Sequence, residues 1–302
     1  MAIDEKMLKQ HKLDFMLGHS VCPDDGVVKG AKPGVMEKYE VKGGDVKRSI
    51  KLIPNTKNEF GSFKVADGGS FDVQFLPWLT HSIIWMDMQG APDFFFTAGI
   101  NGCSVFVTGD PNSPRVYHAG IGATLDAGAY KLTDKTKNDP VEKKLVETAG
   151  KKDAPLFWRL MLDKQFPKAT ADKNFAEINK THYVTDGTAS PLDNGKSTKR
   201  AVAYEKLFVD KNKDALKVKM MTPWGCVFGM KSGGWKFYLQ ENVTIFYSDK
   251  EGKKPHAASV PIAVTQFYPK GQEKTNLVKT QNTFISNPFT KSDLVFEGWM
   301  PK

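Results

Sequence analysis

Between Phe71 and His118 the chain carries a succession of short apolar runs, FDVQFLPWL, HSIIWMDM, DFFFTAGI and CSVFV, each cut off by Pro, Gly or a polar cluster. Runs this short, rich in β-branched and aromatic residues, are too brief for long helices and read as strands buried on at least one face. A second set, WGCVFGMK and WKFYLQENVTIFY, flanks Ser232-Gly233-Gly234 and reads as a hairpin. Whatever else the chain does, it must build sheets.

Helices lie between and before these strand groups. Ile3, Met7, Leu8, Met16 and Leu17 recur at roughly helical spacing and Gly18 closes the pattern. Residues 139–149 start with Asp139 as an N-cap and Pro140 at the first helical position, and stop at Gly150. Residues 155–166, PLFWRLMLDKQF, predict a second helix, and 170–180 a third. Short strands and loops are expected from Val21 to Gly69, and a polar loop from Asp186 to Lys199. The expected fold class is α+β, with mixed, sandwich-like β-sheets flanked by helices in a single domain over 1–302. Its parts are an N-terminal helix and extension (1–69), a core (70–132), a helical segment (139–180) and a strand-rich end (200–302).

Composition narrows the function classes. The 34 aromatic residues (6 Trp, 8 Tyr, 20 Phe) exclude disorder for most of the 302 residues. No run approaches a membrane span, and the first 20 residues lack the apolar block of a signal peptide. Three cysteines, Cys22, Cys103 and Cys226, are an odd number with no CxxC pair, which favours a reduced chain over a disulfide framework or Cys-rich zinc site. The histidines show no metal spacing, there is no phosphate-binding glycine loop, and no cofactor is expected. Asp210-Lys-Asn212-Lys-Asp214 opens like a calcium loop but has Ala215 where Gly is needed and Met221 where a bidentate Glu is needed. The net charge of +9 includes lysines 131, 135, 137, 143, 144, 151 and 152. These read as a solvated face, with an acidic protein target the secondary reading; nucleic acid is not expected, since aromatics are not interleaved with them.

One segment carries chemistry: Thr97 to Gly120, TAGINGCSVFVTGDPNSPRVYHAG. The Gly109–Pro114 cluster requires a reversal, with CSVFV and RVYHA as the two arms. A hairpin centred between Asp110 and Pro111 sets Cys103 opposite His118. There an imidazole can activate a thiol and later protonate a leaving amine. Gly99, Asn101 and Gly102 let the backbone present N–H groups, notably those of Gly102 and Cys103, to an oxyanion. Thr97 is placed to accept from the other ring nitrogen of His118 and fix its tautomer. Cys226 reads as a core residue and Cys22 as incidental.

The run Thr97-Ala-Gly-Ile-Asn-Gly-Cys103, followed by strand, turn, strand and His118, resembles the active-site pattern of the papain-like glutamine deamidases. That group includes the cytotoxic necrotizing factor catalytic domain, Burkholderia lethal factor 1 and CheD. The Gly-Cys step matches; Ile100-Asn101 stands where the toxins have Leu-Ser. The resemblance implies Cys103 as nucleophile, His118 as acid and base, Thr97 as its orienting partner, and a protein glutamine as substrate. It also implies a toxin or effector secreted without a signal peptide and acting in the target-cell cytosol, with a cytoplasmic protein as the alternative. Transamidation, a cysteine peptidase with the same dyad, and a non-enzymatic β-rich binding or assembly protein with an inert Cys103 stay open. The oligomeric state is unknown from the sequence.

Overall fold

The computed structural model describes residues 8, 10–23, 40–43, 47–54, 59–60, 62–67, 69, 71–78, 82–120, 132–134, 136–183, 216–253, 255–272, 282–286 and 293–297. The expected 186–199 loop and the Asp210 calcium-like motif lie outside these residues, as do Ile3 and Met7.

In chain order the elements are α1 (Lys12–Gly18), β1 (Ser20–Pro23), β2 (Glu40–Gly43), β3 (Lys47–Pro54), β4 (Glu59–Phe60), β5 (Ser62–Asp67), β6 (Phe71–Leu76) and β7 (Ser82–Asp87). Next come β8 (Phe94–Thr97), β9 (Ser104–Thr108), β10 (Arg115–Gly120), α2 (Pro140–Gly150), α3 (Ala154–Gln165), β11 (Ala176–Ile178) and α4 (Lys180–Tyr183). The last are β12 (Leu216–Lys231), β13 (Trp235–Asp249), β14 (Pro255–Tyr268), β15 (Asn282–Ser286) and β16 (Asp293–Glu297). The fold is α+β. A nine-stranded mixed sheet runs β1-β5-β3-β6-β8-β12-β13-β14-β4, a five-stranded sheet runs β11-β9-β10-β7-β2, and β15 pairs with β16.

The two large sheets face each other. Leu76, Phe95, Val227, Trp235, Phe237 and Leu239 of the first pack with Ile84, Met86, Val105, Val107 and Val116 of the second. Because side chains alternate along a strand, the neighbours of these residues point outward and need their own cover. On the first sheet Phe94, Phe96, Cys226, Phe228 and Tyr238 meet Phe15, Met16 and Leu17 around α1. On the second, Ile83, Phe106, Tyr117 and Ala119 meet Leu145 and Ala149 of α2 and Phe157, Trp158, Met161 and Leu162 of α3. The result is a helix–sheet–sheet–helix stack. DFFFT explains why two faces are needed: Phe94 and Phe96 serve the outer core, Phe95 the inner one, and all three are fully buried.

Helix limits follow local chemistry. The Asp139 carboxylate accepts from the N–H groups of Val141 and Glu142, with Pro140 at the start of α2, as the sequence predicts. Asp153 caps α3 by accepting from Leu156 N–H. The expected third helix over 170–180 does not form. A short 3-10 turn (Ala169–Ala171) gives way to β11, which adds antiparallel to the free edge of β9. Pairing with that edge satisfies backbone groups that a helix would leave at a sheet margin, so tertiary context overrides local propensity. The β12–β13 hairpin forms around Ser232-Gly233-Gly234 as expected, with Lys231 paired to Trp235.

Candidate active site

The hairpin of β9 and β10 forms, but its register differs from the expected one. Asp110 to Ser113 make the turn: Ser113 N–H donates to Asp110 C=O at 2.9 Å, and Asn112 N–H donates to the Asp110 carboxylate at 2.8 Å. Pro111 and Asn112 are therefore the central residues, as favoured for Asp-Pro at the head of a β-turn. The centre moves by one residue, so His118 faces Val105, and Ser104 faces Ala119. Cys103 lies just outside this ladder, two residues from the direct partner of His118. A shift of two preserves the face. Cys103 and Val105 belong to the inter-sheet core, and His118, opposite Val105, points the same way. Diagonal neighbours of this kind have Cα atoms about 7–8 Å apart, their Cβ atoms somewhat closer.

The turn is held firmly. Trp235 N–H donates to Pro111 C=O at 2.6 Å, and the Tyr268 hydroxyl and Asn174 side-chain amide both donate to Gly109 C=O, at 3.0 and 2.8 Å. Asp172 accepts from Gly109 N–H at 3.2 Å.

Ahead of Cys103 the chain crosses between the sheets. Ile100 forms an isolated antiparallel bridge with Gly225 of β12, donating at 2.8 Å and accepting at 2.9 Å. Asn101 is exposed and Gly102 half-buried, with Gly102 at φ +105° and open space where a Cβ would stand. Only glycine adopts that backbone easily, and it lets the chain turn into β9 immediately after Cys103.

Cys103 is 4% exposed and His118 fully buried. Burial lowers the His118 pKa from 6.5 to about 3, and the nearby backbone of Leu76 and Pro77 offsets only part of that. The ring faces the backbone carbonyls of Leu76 and Pro77, which favour its protonated form, but burial outweighs them and keeps the imidazole neutral. Thr97 is also fully buried on the inter-sheet side of β8, but its hydroxyl donates to Val227 C=O at 3.4 Å and not to the imidazole. The expected Thr97–His118 bond is not among the contacts of the described residues: the groups that face the imidazole are the carbonyls of Leu76 and Pro77. Cys226 is buried on the opposite, outer face of the first sheet, as a core residue.

A residue with no signal in the sequence completes the site. After β11, Asn179 caps α4 by accepting from Thr181 N–H at 3.0 Å and Thr181 Oγ1 at 2.7 Å. That one-turn helix ends in Tyr183, which enters the inter-sheet core. Its hydroxyl accepts from Gly102 N–H at 2.9 Å and donates to Cys103 C=O at 2.7 Å. The Gly102 N–H expected to hold an oxyanion is therefore engaged with Tyr183. Burial raises the Tyr183 pKa well above its ordinary value, and repulsion from a Cys103 thiolate adds to the rise, so the hydroxyl stays protonated. Cys103 thus opens a strand whose neighbours deliver His118 on one side and, through α4, Tyr183 on the other.

Among the described residues no group of three or more His, Cys, Asp or Glu could hold a metal ion, and no helix is long and apolar enough to cross a membrane. No protein-family model and no curated protein matches the chain.

Proposed function

We propose that the protein is a cysteine-dependent hydrolase of the glutamine-deamidase type, with Cys103 as nucleophile and His118 as its proton carrier. One observation carries this reading: a fully buried, neutral imidazole on the same face as a thiol at the start of the neighbouring strand. A neutral imidazole beside a thiol is the form that can take the thiol proton as the sulfur attacks.

The steps balance without a cofactor. Neutral His118, the form burial favours, takes the Cys103 proton as the sulfur bonds to the carboxamide carbon of a glutamine side chain. The protonated ring then gives that proton to departing ammonia, leaving a thioester. Water attacks the thioester carbon, His118 takes its proton, and the thiolate leaves and is reprotonated, so glutamine becomes glutamate. Gly102 N–H reaches the oxyanion only by giving up its bond to Tyr183. The substrate is a protein glutamine, and the basic stretch on and around α2 favours an acidic target; the resemblance adds an effector role in a target cell.

The test is mass analysis of lysate proteins treated with wild type and with Cys103→Ser. Wild type should produce the mass gain of glutamine-to-glutamate conversion and the variant none. Equal conversion by both, or none by either, ends the proposal; chain cleavage would point to peptidase chemistry instead.

A second reading has its own support. Cys103 is nearly inaccessible and its neighbouring Gly102 N–H is occupied, as in an inert core cysteine of a β-rich binding protein. A Cys103 that resists iodoacetamide until the protein unfolds would favour it.

A further inference from the structure

We propose that Tyr183 is a positioning residue for Cys103, its hydroxyl fixing the Gly102–Cys103 backbone so that the thiol stays turned toward His118. The proposal rests on the hydrolase reading above.

Three facts lead there. The hydroxyl uses both its capacities on one short stretch of chain, accepting from Gly102 N–H and donating to Cys103 C=O. That stretch needs fixing. Gly102 has no side chain and sits at φ +105° with open space beside it, and Cys103 precedes the first ladder pair of β9. These two residues lie between the Ile100–Gly225 bridge and the first ladder pair, Ser104 with Ala119. The clamp also comes from a defined element. The Asn179 cap and the packing of Tyr183 beside Ile100, Cys103 and Val105 set where the hydroxyl can go.

A residue that only fills space would lose little on removal of one oxygen. For a positioning role, Tyr183→Phe removes the bonds to Gly102 N–H and Cys103 C=O, the peptide turns, and the thiol shifts. Displacements of about 1 Å cost on the order of 100-fold in catalysis.

The experiment follows iodoacetamide labelling of Cys103 against pH, by peptide mass mapping, in wild type and Tyr183→Phe, with thermal melting to confirm folding. In the variant, labelling near pH 7 should fall roughly tenfold and the midpoint rise by about one pH unit. A folded variant with the wild-type profile overturns the positioning role while leaving the hydrolase reading intact. A wild-type Cys103 that stays unreactive until unfolding overturns both. Should Tyr183→Phe not fold, amide exchange in the wild type decides. A Gly102 N–H exchanging far more slowly than that of exposed Asn101 supports the clamp, and equal rates refute it.

Discussion

His118 makes a prediction whose size and sign come from its burial. Its pKa falls from 6.5 to about 3 because the charged imidazolium would sit, fully buried, among Leu76, Ile84 and Val105. A histidine with a lowered folded pKa binds protons more readily when the chain is unfolded. Its contribution to stability is complete above the unfolded value and is lost as pH falls toward the folded one. Acidification from pH 7.5 to pH 5 should therefore cost about 2 kcal/mol through this group, and roughly 4 kcal/mol by pH 3. Urea unfolding at pH 7.5 and pH 5, for wild type and His118→Leu, isolates the effect, since the carboxylates are common to both. Wild type should lose about 2 kcal/mol more than the variant across that interval. The reasoning fails if both lose the same, or if wild type loses less: the carbonyls of Leu76 and Pro77 would then outweigh burial.

Other perturbations give further checks. Alanine at Gly229 would put a Cβ 2.7 Å from Phe237 Cε1 and 3.3 Å from Phe95 Cβ, a cost of about 1–3 kcal/mol readable as a lower Tm. Gln240 binds the carbonyls of Met16 and His19, at 2.5 and 2.8 Å, and accepts from Val21 N–H at 3.1 Å, so one side chain ties α1 and β1 to β13. Gln240→Leu should cost about 3 kcal/mol and admit protease within the first 20 residues while β12–β14 stay intact. Asp139→Ala removes the α2 cap and should cost about 1 kcal/mol in urea unfolding, with no change in Cys103 labelling.

The strand runs, the α2 cap and the β12–β13 turn were legible because each depends on residues close together in sequence. The β9–β10 register was only half legible. Counting from the middle of the Gly/Pro cluster gave the right face and the wrong partner, whereas Asp110 followed by Pro111 already marks the first two positions of the turn. The shift of two left Cys103 and His118 on one face. Thr97 misled because the carbonyls facing the imidazole are those of Leu76 and Pro77, at the end of β6, whose approach to His118 no local pattern encodes. Tyr183 was invisible for the same reason. Its bond to Gly102 spans 81 positions, and it depends on β11 joining an edge where helical propensity pointed elsewhere.

The bridge between Ile100 and Gly225 gives the two sheets a shared stitch four residues ahead of a strand of the second sheet. Ile100 travels with the first sheet and Ser104 with the second, so a slide of one leaf over the other is taken up by Asn101, Gly102 and Cys103. Tyr183 holds two of these three residues, through Gly102 N–H and Cys103 C=O, so the slack between the leaves is confined to Asn101 and the thiol is kept in step with the second sheet.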